Sequence, residues 1–251
     1  MKHYINLLLI FFVALVKAQA LQLQKFKYEA IYNFISIPDS LKADSIEQKM
    51  ALYINNDESL YQNLYKKSID SMTQQKIITG DISYIDLNKI KIPKSTISIY
   101  KKYDENKIIF TDRIGTSNIG YNDTFNDFDW QITNENKKLS GYNATKAFLK
   151  FRGRQYTAWF TDEIPFQDGP YKFSKLPGLI LELYDNKKYF HFVLLSFKKT
   201  ENNVYYNSKF IDIDREKYYE KKIDYHNSLL ANPVHKGKIK KIDTYNPIEL
   251  K

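Results

Sequence analysis

The chain of 251 residues contains no cysteine and only 8 glycines. Without a thiol it forms no disulfide, even in an oxidising compartment, and it offers no site for a cysteine-linked acyl anchor. A phosphate-binding loop is hard to build with so few glycines, and the sequence has no Gly-x-Ser-x-Gly nucleophile elbow. These absences argue against thiol chemistry, lipoproteins, nucleotide-binding loops and serine hydrolases of that type.

Metal-binding patterns are also missing. His191 lies inside an apolar stretch, and His226 and His235 have no histidine or cysteine partner at the spacing that metal sites use. The sequence therefore predicts no metal site and no cofactor.

Candidate catalytic groups are few. Ser98-Ile99-Tyr100-Lys101 has Ser-x-x-Lys spacing, but its residues alternate like a strand, whereas that motif needs a helix to place lysine beside serine. Asp162, Glu163 and Asp168 form a carboxylate cluster that allows a catalytic pair or a calcium site. Solvated loop charges are the favoured interpretation, so no catalytic residue is predicted and a hydrolase ranks third among the functions.

The amino terminus has the pattern of a signal peptide. Lys2 and His3 precede an apolar run from Tyr4 to Val16, and Ala18-Gln19-Ala20 follows as a small-residue cleavage site. The run is shorter than the roughly 20 residues that a membrane-spanning helix needs. We expect residues 1–20 to be removed, and residues 21–251 to form a single domain that is exported, soluble, and periplasmic or associated with the outer membrane.

Lysine and arginine give the chain a formal charge of +9, and loss of Lys2 and Lys17 with the signal leaves 9 − 2 = +7. The basic residues are scattered and exported proteins rarely meet nucleic acid, so no nucleic-acid partner is predicted. A basic surface is attracted to anionic lipid headgroups, which keeps an anionic lipid surface among the candidate partners.

Aromatic residues make up 16% of the chain, with 21 Tyr and 16 Phe, and such residues favour half-buried strands. Apolar alternation predicts a succession of strands, beginning with Phe26–Phe34 and including one at 81–86, and Asp57 is expected to begin a short helix. Asp214 is expected to begin an amphipathic C-terminal helix that ends before Pro233. The predicted fold is mainly β: a single curved antiparallel sheet or half-open barrel with one or two helices.

The most distinctive stretch is 158–185. Leu176-Pro177-Gly178-Leu179 predicts a type II turn, because proline sets the first central dihedral and glycine supplies the positive second one. Residues 179–184 and 188–197 then form a predicted hairpin whose two faces are both apolar, and which we expect to be covered on both sides. Glu182 is the exception in this hairpin, because burying a lone carboxylate is costly. It must reach Arg152, Arg154 or a lysine, or face a wet cleft.

This stretch resembles the signature of the GLPGLI family of exported Bacteroidota proteins, whose biochemical role is not established. The resemblance continues in family order at other positions: Trp130, Gly141–Ala147, Gly153-Arg154, Ala158-Trp159 and Asn246–Glu249. Two positions depart from it. Asn143 or a neighbour stands where many relatives carry cysteine, and Lys175 replaces the glycine that opens the family's name, which puts an unusual backbone angle at 175 in doubt.

Two classes of function remain. The first is a non-enzymatic binding or carrier module for an apolar or lipid-like ligand, and the second is an accessory protein of an outer-membrane assembly that contacts its partner through aromatic residues such as Trp159 and Phe160. For the signature itself the favoured interpretation is structural: it fixes two turns that orient a buried hairpin, rather than forming a binding site. The residues proposed as a ligand or partner surface are Trp159, Phe173, Leu176, Pro177, Gly178, Glu182 and Tyr184.

Overall fold

The structure is a computed structural model that describes residues 21–41, 44–79, 93, 95–231 and 245–250. The predicted signal peptide at 1–20, the predicted strand at 81–86 and His235 lie outside these residues. None of the described helices is both long enough and apolar enough to cross a bilayer.

Twelve strands and two helices are found within the described ranges. The strands are β1 Leu21–Ser36, β2 Ile46–Ile54, β3 Glu58–Asn63, β4 Ser98–Lys102, β5 Lys107–Ile114, β6 Ser117–Asp123, β7 Gln131–Leu139, β8 Tyr142–Phe151, β9 Arg154–Thr161, β10 Leu179–Asp185, β11 Phe190–Asn207 and β12 Ile211–Asp212. The helices are α1 Lys66–Thr79 and α2 Arg215–Ala231.

All twelve strands form one sheet, in the order β12-β6-β5-β4-β3-β2-β1-β11-β10-β9-β8-β7. Neighbours pair antiparallel, except that β12 pairs parallel to β6. The order is linear, and in the described part of the chain its end strands β12 and β7 do not pair with each other. The predicted mainly β fold is confirmed, and of the two predicted architectures the structure has the open sheet.

The sheet is joined at its centre by the two longest strands. β1 pairs with β11 from Leu21↔Asn207 to Ser36↔Phe190, and with β2 on its other edge. Alternation in β1 buries Ala30 and Tyr32 on one face, as the sequence pattern predicted. The first strand and the N-terminal half of the chain are thereby tied to the C-terminal half.

The predicted β10–β11 hairpin is present, with Glu182 opposite Val193 and Tyr184 opposite His191. Its loop is held by Asp185, whose side chain accepts a hydrogen bond from the Phe190 amide at 2.9 Å. The prediction that this hairpin is covered on both sides is wrong, however. One face is buried, whereas on the other His191 and Val193 are half-buried and Leu195 is 51% exposed.

The inner face of the sheet packs on the segment 162–178 between β9 and β10. Phe173 is fully buried at the centre of this packing, with its ring 4.6 Å from that of Tyr156 and 5.4 Å from that of Phe151. Tyr171 of the same segment contacts Phe110 of β5. The segment therefore contacts both halves of the sheet. Helix α2 adds Tyr218 to this core.

The opposite, outer face carries a second and smaller cluster near α1. Its buried members come from alternate positions of strands in both halves of the chain: Phe26, Ala51, Tyr53, Leu60, Tyr100 and Val204. Lys67 of α1 lies 5.9 Å from the Tyr53 ring. β2 buries side chains on both of its faces, which explains why its sequence shows little polar alternation.

Two expectations about the elements need correction. Asp57 does not begin a helix: residues 58–63 form β3, whose side chains are almost all buried, and α1 begins at Lys66. β6 was not predicted, because its polar residues and Gly120 gave no apolar alternation. The C-terminal helix is confirmed, and the Tyr218 amide donates to the Asp214 carbonyl at 2.9 Å where the helix begins.

Candidate functional site

The Pro-Gly bend is not the predicted type II turn. The Gly178 amide donates to the Leu176 carbonyl at 2.8 Å, which closes a three-residue turn around Pro177. The Leu179 amide donates instead to the Ile164 carbonyl at 3.1 Å. Gly178 has φ 150°, far from the value near 80° that a type II turn requires. The bend therefore ties the end of the inner segment back to its beginning.

Lys175 adopts a positive φ of 71° although it is not glycine. Its amide donates to the Gln167 carbonyl at 3.1 Å, which anchors the residue within the segment. The unusual backbone angle at position 175, which the lysine had put in doubt, is therefore present. Tyr171 also has a positive φ, of 57°, so the segment 162–178 contains two non-glycine residues in the left-handed region.

The seven residues predicted to form one surface are divided between two faces of the sheet. Phe173 and Leu176 are fully buried in the inner core, and Pro177 is exposed at the bend beside Gly178. Trp159, Glu182 and Tyr184 lie on the outer face. Trp159 is only 8% exposed and Phe160 only 4%, so these two do not present an exposed aromatic edge.

Glu182 is held by two partners on the outer face. Its carboxylate lies 2.9 Å from His191 Nε2 and 2.7 Å from Lys137 Nζ, so the partner is a lysine rather than Arg152 or Arg154. The hydrogen bond with His191 and the hydrogen bond and charge of Lys137 outweigh partial burial and lower the pKa of Glu182 to about 2. Lys137 also lies 4.2 Å from the Trp159 ring centre and covers that ring.

A second charged group is buried beneath the C-terminal strap, the name used here for residues 245–250. Glu249 of the strap is 1% exposed and accepts from Lys172 at 2.6 Å, from the Tyr171 hydroxyl at 2.6 Å and from Arg152 at 2.5 Å. Burial acts to raise the pKa of Glu249, but the charges of Lys172 and Arg152 outweigh it, so that the pKa lies below its ordinary value.

Further contacts hold the rest of the strap. Arg154 binds the Asn246 side chain and donates to the Pro247 carbonyl at 2.6 Å, while the Tyr156 hydroxyl donates to the Ile248 carbonyl at 2.6 Å. Signature pieces far apart in sequence, Gly153-Arg154, the 158–185 stretch and Asn246–Glu249, therefore meet at one place. The sequence identified these pieces but gave no indication that they contact one another.

An apolar pocket of about 160 Å³ lies between the inner face of the sheet and the strap. Most of its lining is aromatic or aliphatic, and the members are Phe34, Ser36, Pro38, Gln48, Met50, Tyr61, Ser95, Ile97, Tyr171, Phe190, Phe192, Tyr245, Asn246, Pro247 and Ile248. The Tyr61 hydroxyl is buried and has no hydrogen-bond partner among the described residues. Tyr171 is the only one of these side chains within the signature stretch, which is why sequence reasoning did not find the pocket.

The remaining candidate groups serve the fold. Ser98 and Lys101 lie on opposite faces of β4, which forms the strand that the sequence predicted. Asp168 is not a solvated loop charge, because it is 1% exposed and binds Lys101 at 2.5 Å. Glu163 accepts from the amide and side chain of Asn143 at 2.8 and 2.9 Å.

Within the described ranges, no three histidine or acidic side chains are grouped so that they could hold a metal ion. His191 is paired with Glu182, and His226 is half-buried on α2 with an interaction of its own.

Comparison with known proteins finds one family-model match over a short stretch and a similar fold among solved structures. A family model described as a protein of unknown function (Porph_ging) matches residues 150–182, a stretch that contains the strap-binding residues Arg152, Arg154 and Lys172. A search of curated proteins gives no match.

Among solved structures, PNGF-II in two crystal forms is similar with a TM-score of 0.54 and 16% sequence identity. The alignments cover 80% and 81% of this chain and 33% and 34% of PNGF-II. The chain thus spans about a third of the length of PNGF-II, and at this identity the likeness shows the fold alone.

Proposed function

We propose that the protein is an exported, non-enzymatic binding module that takes up a small apolar group in the pocket between the sheet and the strap. The observation that carries the proposal is the pocket itself, with its largely apolar lining and a hydroxyl that has no partner among the described residues. The signal-peptide pattern supports export, and the motif order supports membership of the GLPGLI family.

Pocket volume limits the ligand. An apolar protein cavity of about 150 Å³ takes up one benzene ring, and sites for drug-sized molecules span about 300–1,000 Å³. At about 160 Å³, the pocket fits one aromatic ring or a short acyl segment rather than a whole lipid. The ligand is therefore either a small aromatic compound or a larger molecule that inserts only one apolar group.

The Tyr61 hydroxyl adds a polar requirement. A buried hydroxyl without a partner costs free energy, which a ligand oxygen can recover by accepting its hydrogen bond. Burial raises the pKa of Tyr61 well above its ordinary value, so this hydroxyl stays protonated and can act as the donor. An apolar ligand with one carbonyl or ether oxygen therefore satisfies the pocket better than a pure hydrocarbon.

Partnering of the charged groups supports a non-enzymatic role. Lys101, Lys172 and Glu249 are three ionisable groups buried at the inner face, and each is bound in an ion pair. Groups paired in this way are poorly disposed to exchange protons with a substrate, because neutralising one partner would leave the other charge buried and uncompensated.

Fluorine NMR with two probes tests the proposal. We expect 4-fluoroacetophenone to bind more tightly than 4-fluorotoluene, because only the ketone accepts a hydrogen bond from Tyr61. Tyr61→Phe should remove this preference, while Ser36→Phe, which places a ring in the pocket, should abolish binding of both probes. Ser117→Phe, at the start of β6 and away from the pocket, is the matched control and should bind as the unmodified chain does.

Two results would contradict the proposal: no binding of either probe to the folded chain, or equal binding to the Ser36→Phe and Ser117→Phe variants. If the unmodified chain binds both probes but does not prefer the ketone, only the role of the Tyr61 hydroxyl is disproved. Thermal unfolding of each variant shows whether a loss of binding comes from a loss of fold.

A further inference from the structure

A second, larger cleft of about 800 Å³ opens where the β8–β9 and β10–β11 turns meet the strap. The β8–β9 turn is a two-residue turn with positive φ at Arg152 and Gly153, and the second turn contains Asn186 and Lys187. Asn246 is the one lining residue that the cleft shares with the apolar pocket. The two sites can therefore be tested separately.

The charge of this cleft has one sign. Lys150, Arg152, Arg154 and Lys187 line it, and none of the described residues in its lining is acidic. Arg152 and Arg154 are committed to carboxylates behind the cleft wall. Lys150 and Lys187 are exposed and make no ion pair within the described part of the chain, so their charges face the solvent of the cleft.

Neutral hydrogen-bonding groups lie between the cations. The side chains of Gln155, Asn186, Ser40 and Tyr189 also line the cleft. Lys187 lies 5.7 Å from the Tyr189 ring centre, which places the ring beside one of the two free ammonium groups. This combination of cations with amide and hydroxyl donors suits the several acceptor oxygens of a phosphate ester.

Two exposed leucines flank the same cleft. Leu41 is 74% exposed and Leu250 is 52% exposed, and both are among the lining residues. Large apolar side chains beside a cationic cleft match the surface of a bilayer, where acyl chains begin just below the phosphate groups. A soluble anion would gain nothing from these leucines.

We propose that this cleft docks the protein on an anionic phospholipid bilayer, with Lys150 and Lys187 against lipid phosphates and with Leu41 and Leu250 inserted at the headgroup boundary. The inference does not rest on the apolar pocket. It assigns the attraction of a basic protein for anionic lipid to one place on the molecule.

Vesicle flotation of the purified chain tests the proposal, with vesicles of phosphatidylglycerol and phosphatidylcholine compared with vesicles of phosphatidylcholine alone. We expect binding to the anionic vesicles that weakens as salt is raised. Since each lysine at an anionic surface contributes about fivefold in affinity, K150Q/K187Q should bind about twenty-fivefold more weakly. K138Q/K199Q removes two exposed lysines elsewhere and has the same net charge, so it should lose far less.

A second pair of measurements separates the bilayer from a soluble anion. L41S/L250S should bind anionic vesicles severalfold more weakly while its weak interaction with inorganic phosphate, measured by calorimetry, is unchanged. Equal losses for the two lysine pairs would show a general charge effect and overturn the site. Binding of inorganic phosphate that is as tight as vesicle binding, or no effect of the leucine substitutions, would assign the cleft to a soluble anion instead.

Discussion

Gly178 lies so close to the end of β9 that its backbone leaves no room for a side chain. A Cβ atom at this position would be 1.9 Å from the Thr161 carbonyl oxygen and 2.9 Å from the Asp162 amide nitrogen. Both neighbours are backbone atoms, which cannot turn away as a flexible side chain can. The glycine is required here by contact as well as by its φ of 150°.

Gly178→Ala should therefore destabilise the protein by about 3–5 kcal/mol, because the bend must separate from β9 to admit the methyl group. Gly141→Ala is the matched control: Gly141 also has a positive φ, of 87°, but nothing lies within 4 Å of its Cβ position. The control should cost only about 1 kcal/mol. Urea unfolding measures both, and equal losses would mean that φ alone, and not the contact, makes Gly178 necessary.

Single residues show where sequence reasoning reached its limit in this region. Pro177-Gly178 correctly predicted a sharp bend, but the Leu179 amide that follows it donates to Ile164, fifteen residues earlier, which no local pattern reveals. For Glu182 the sequence left open a basic partner or a wet cleft, and the structure has the basic partner. Its partner Lys137 comes from β7, and only the register of four neighbouring strands brings the two together.

At the level of elements, the strap is a short segment fixed mainly by charge and hydrogen bonds. Glu249 alone contacts Lys172, Arg152 and Tyr171. Removing one member of a buried ion pair costs about 3–5 kcal/mol, because the remaining charge is left buried and uncompensated. Lys172 keeps Asp123 as a partner, which places the expected cost at the lower end of that range.

Glu249→Gln should thus lower the free energy of unfolding by about 3 kcal/mol at neutral pH. The pKa of Glu249 in the folded state is lowered, so its contribution is fully present above the unfolded value near 4.5 and is lost as the pH falls through the lower folded value. The difference between the variant and the unmodified chain should therefore shrink below about pH 4.5.

Urea unfolding at a series of pH values measures this difference. Glu220→Gln, on the exposed side of α2, is the control and should change stability by less than about 0.5 kcal/mol at every pH. A deficit for Glu249→Gln that stays constant down to acid pH would show that the carboxylate charge is not what holds the strap.

Elements differ in how far their sequence predicts them. β1 and the β10–β11 hairpin combine apolar runs with clear breaks, and α2 has a capping aspartate, so all three were predicted. β3 was mistaken for a helix because five of its six residues are buried, on both faces, and show no alternation. The pocket and the cleft both include strap residues, and the position of the strap follows from long-range contacts rather than from its own sequence.

At the scale of the whole molecule, the segment 162–178 connects parts of the sheet that are far apart in strand order. Asp168 binds Lys101 of β4, and Lys101 also donates to the Gly169 carbonyl at 2.9 Å. Phe173 packs on β8 and β9, and the Trp130 indole donates to the Ser174 carbonyl at 2.8 Å. The two halves of the sheet share this segment as a common core and should unfold together.

Trp130 and Trp159 are the two tryptophans of the chain, and both lie at the β7–β9 end of the sheet, so their fluorescence reports that end while far-ultraviolet circular dichroism reports all strands. We expect the two signals to give the same urea midpoint.

Lys101→Ala, although it lies in β4, should lower both midpoints equally, since it leaves Asp168 buried without its partner. Lys107 on neighbouring β5 makes no ion pair among the described residues. The control Lys107→Ala should therefore leave both midpoints nearly unchanged. A fall in the dichroism midpoint alone would show that the β4 side unfolds by itself, and that the inner segment does not couple the two halves.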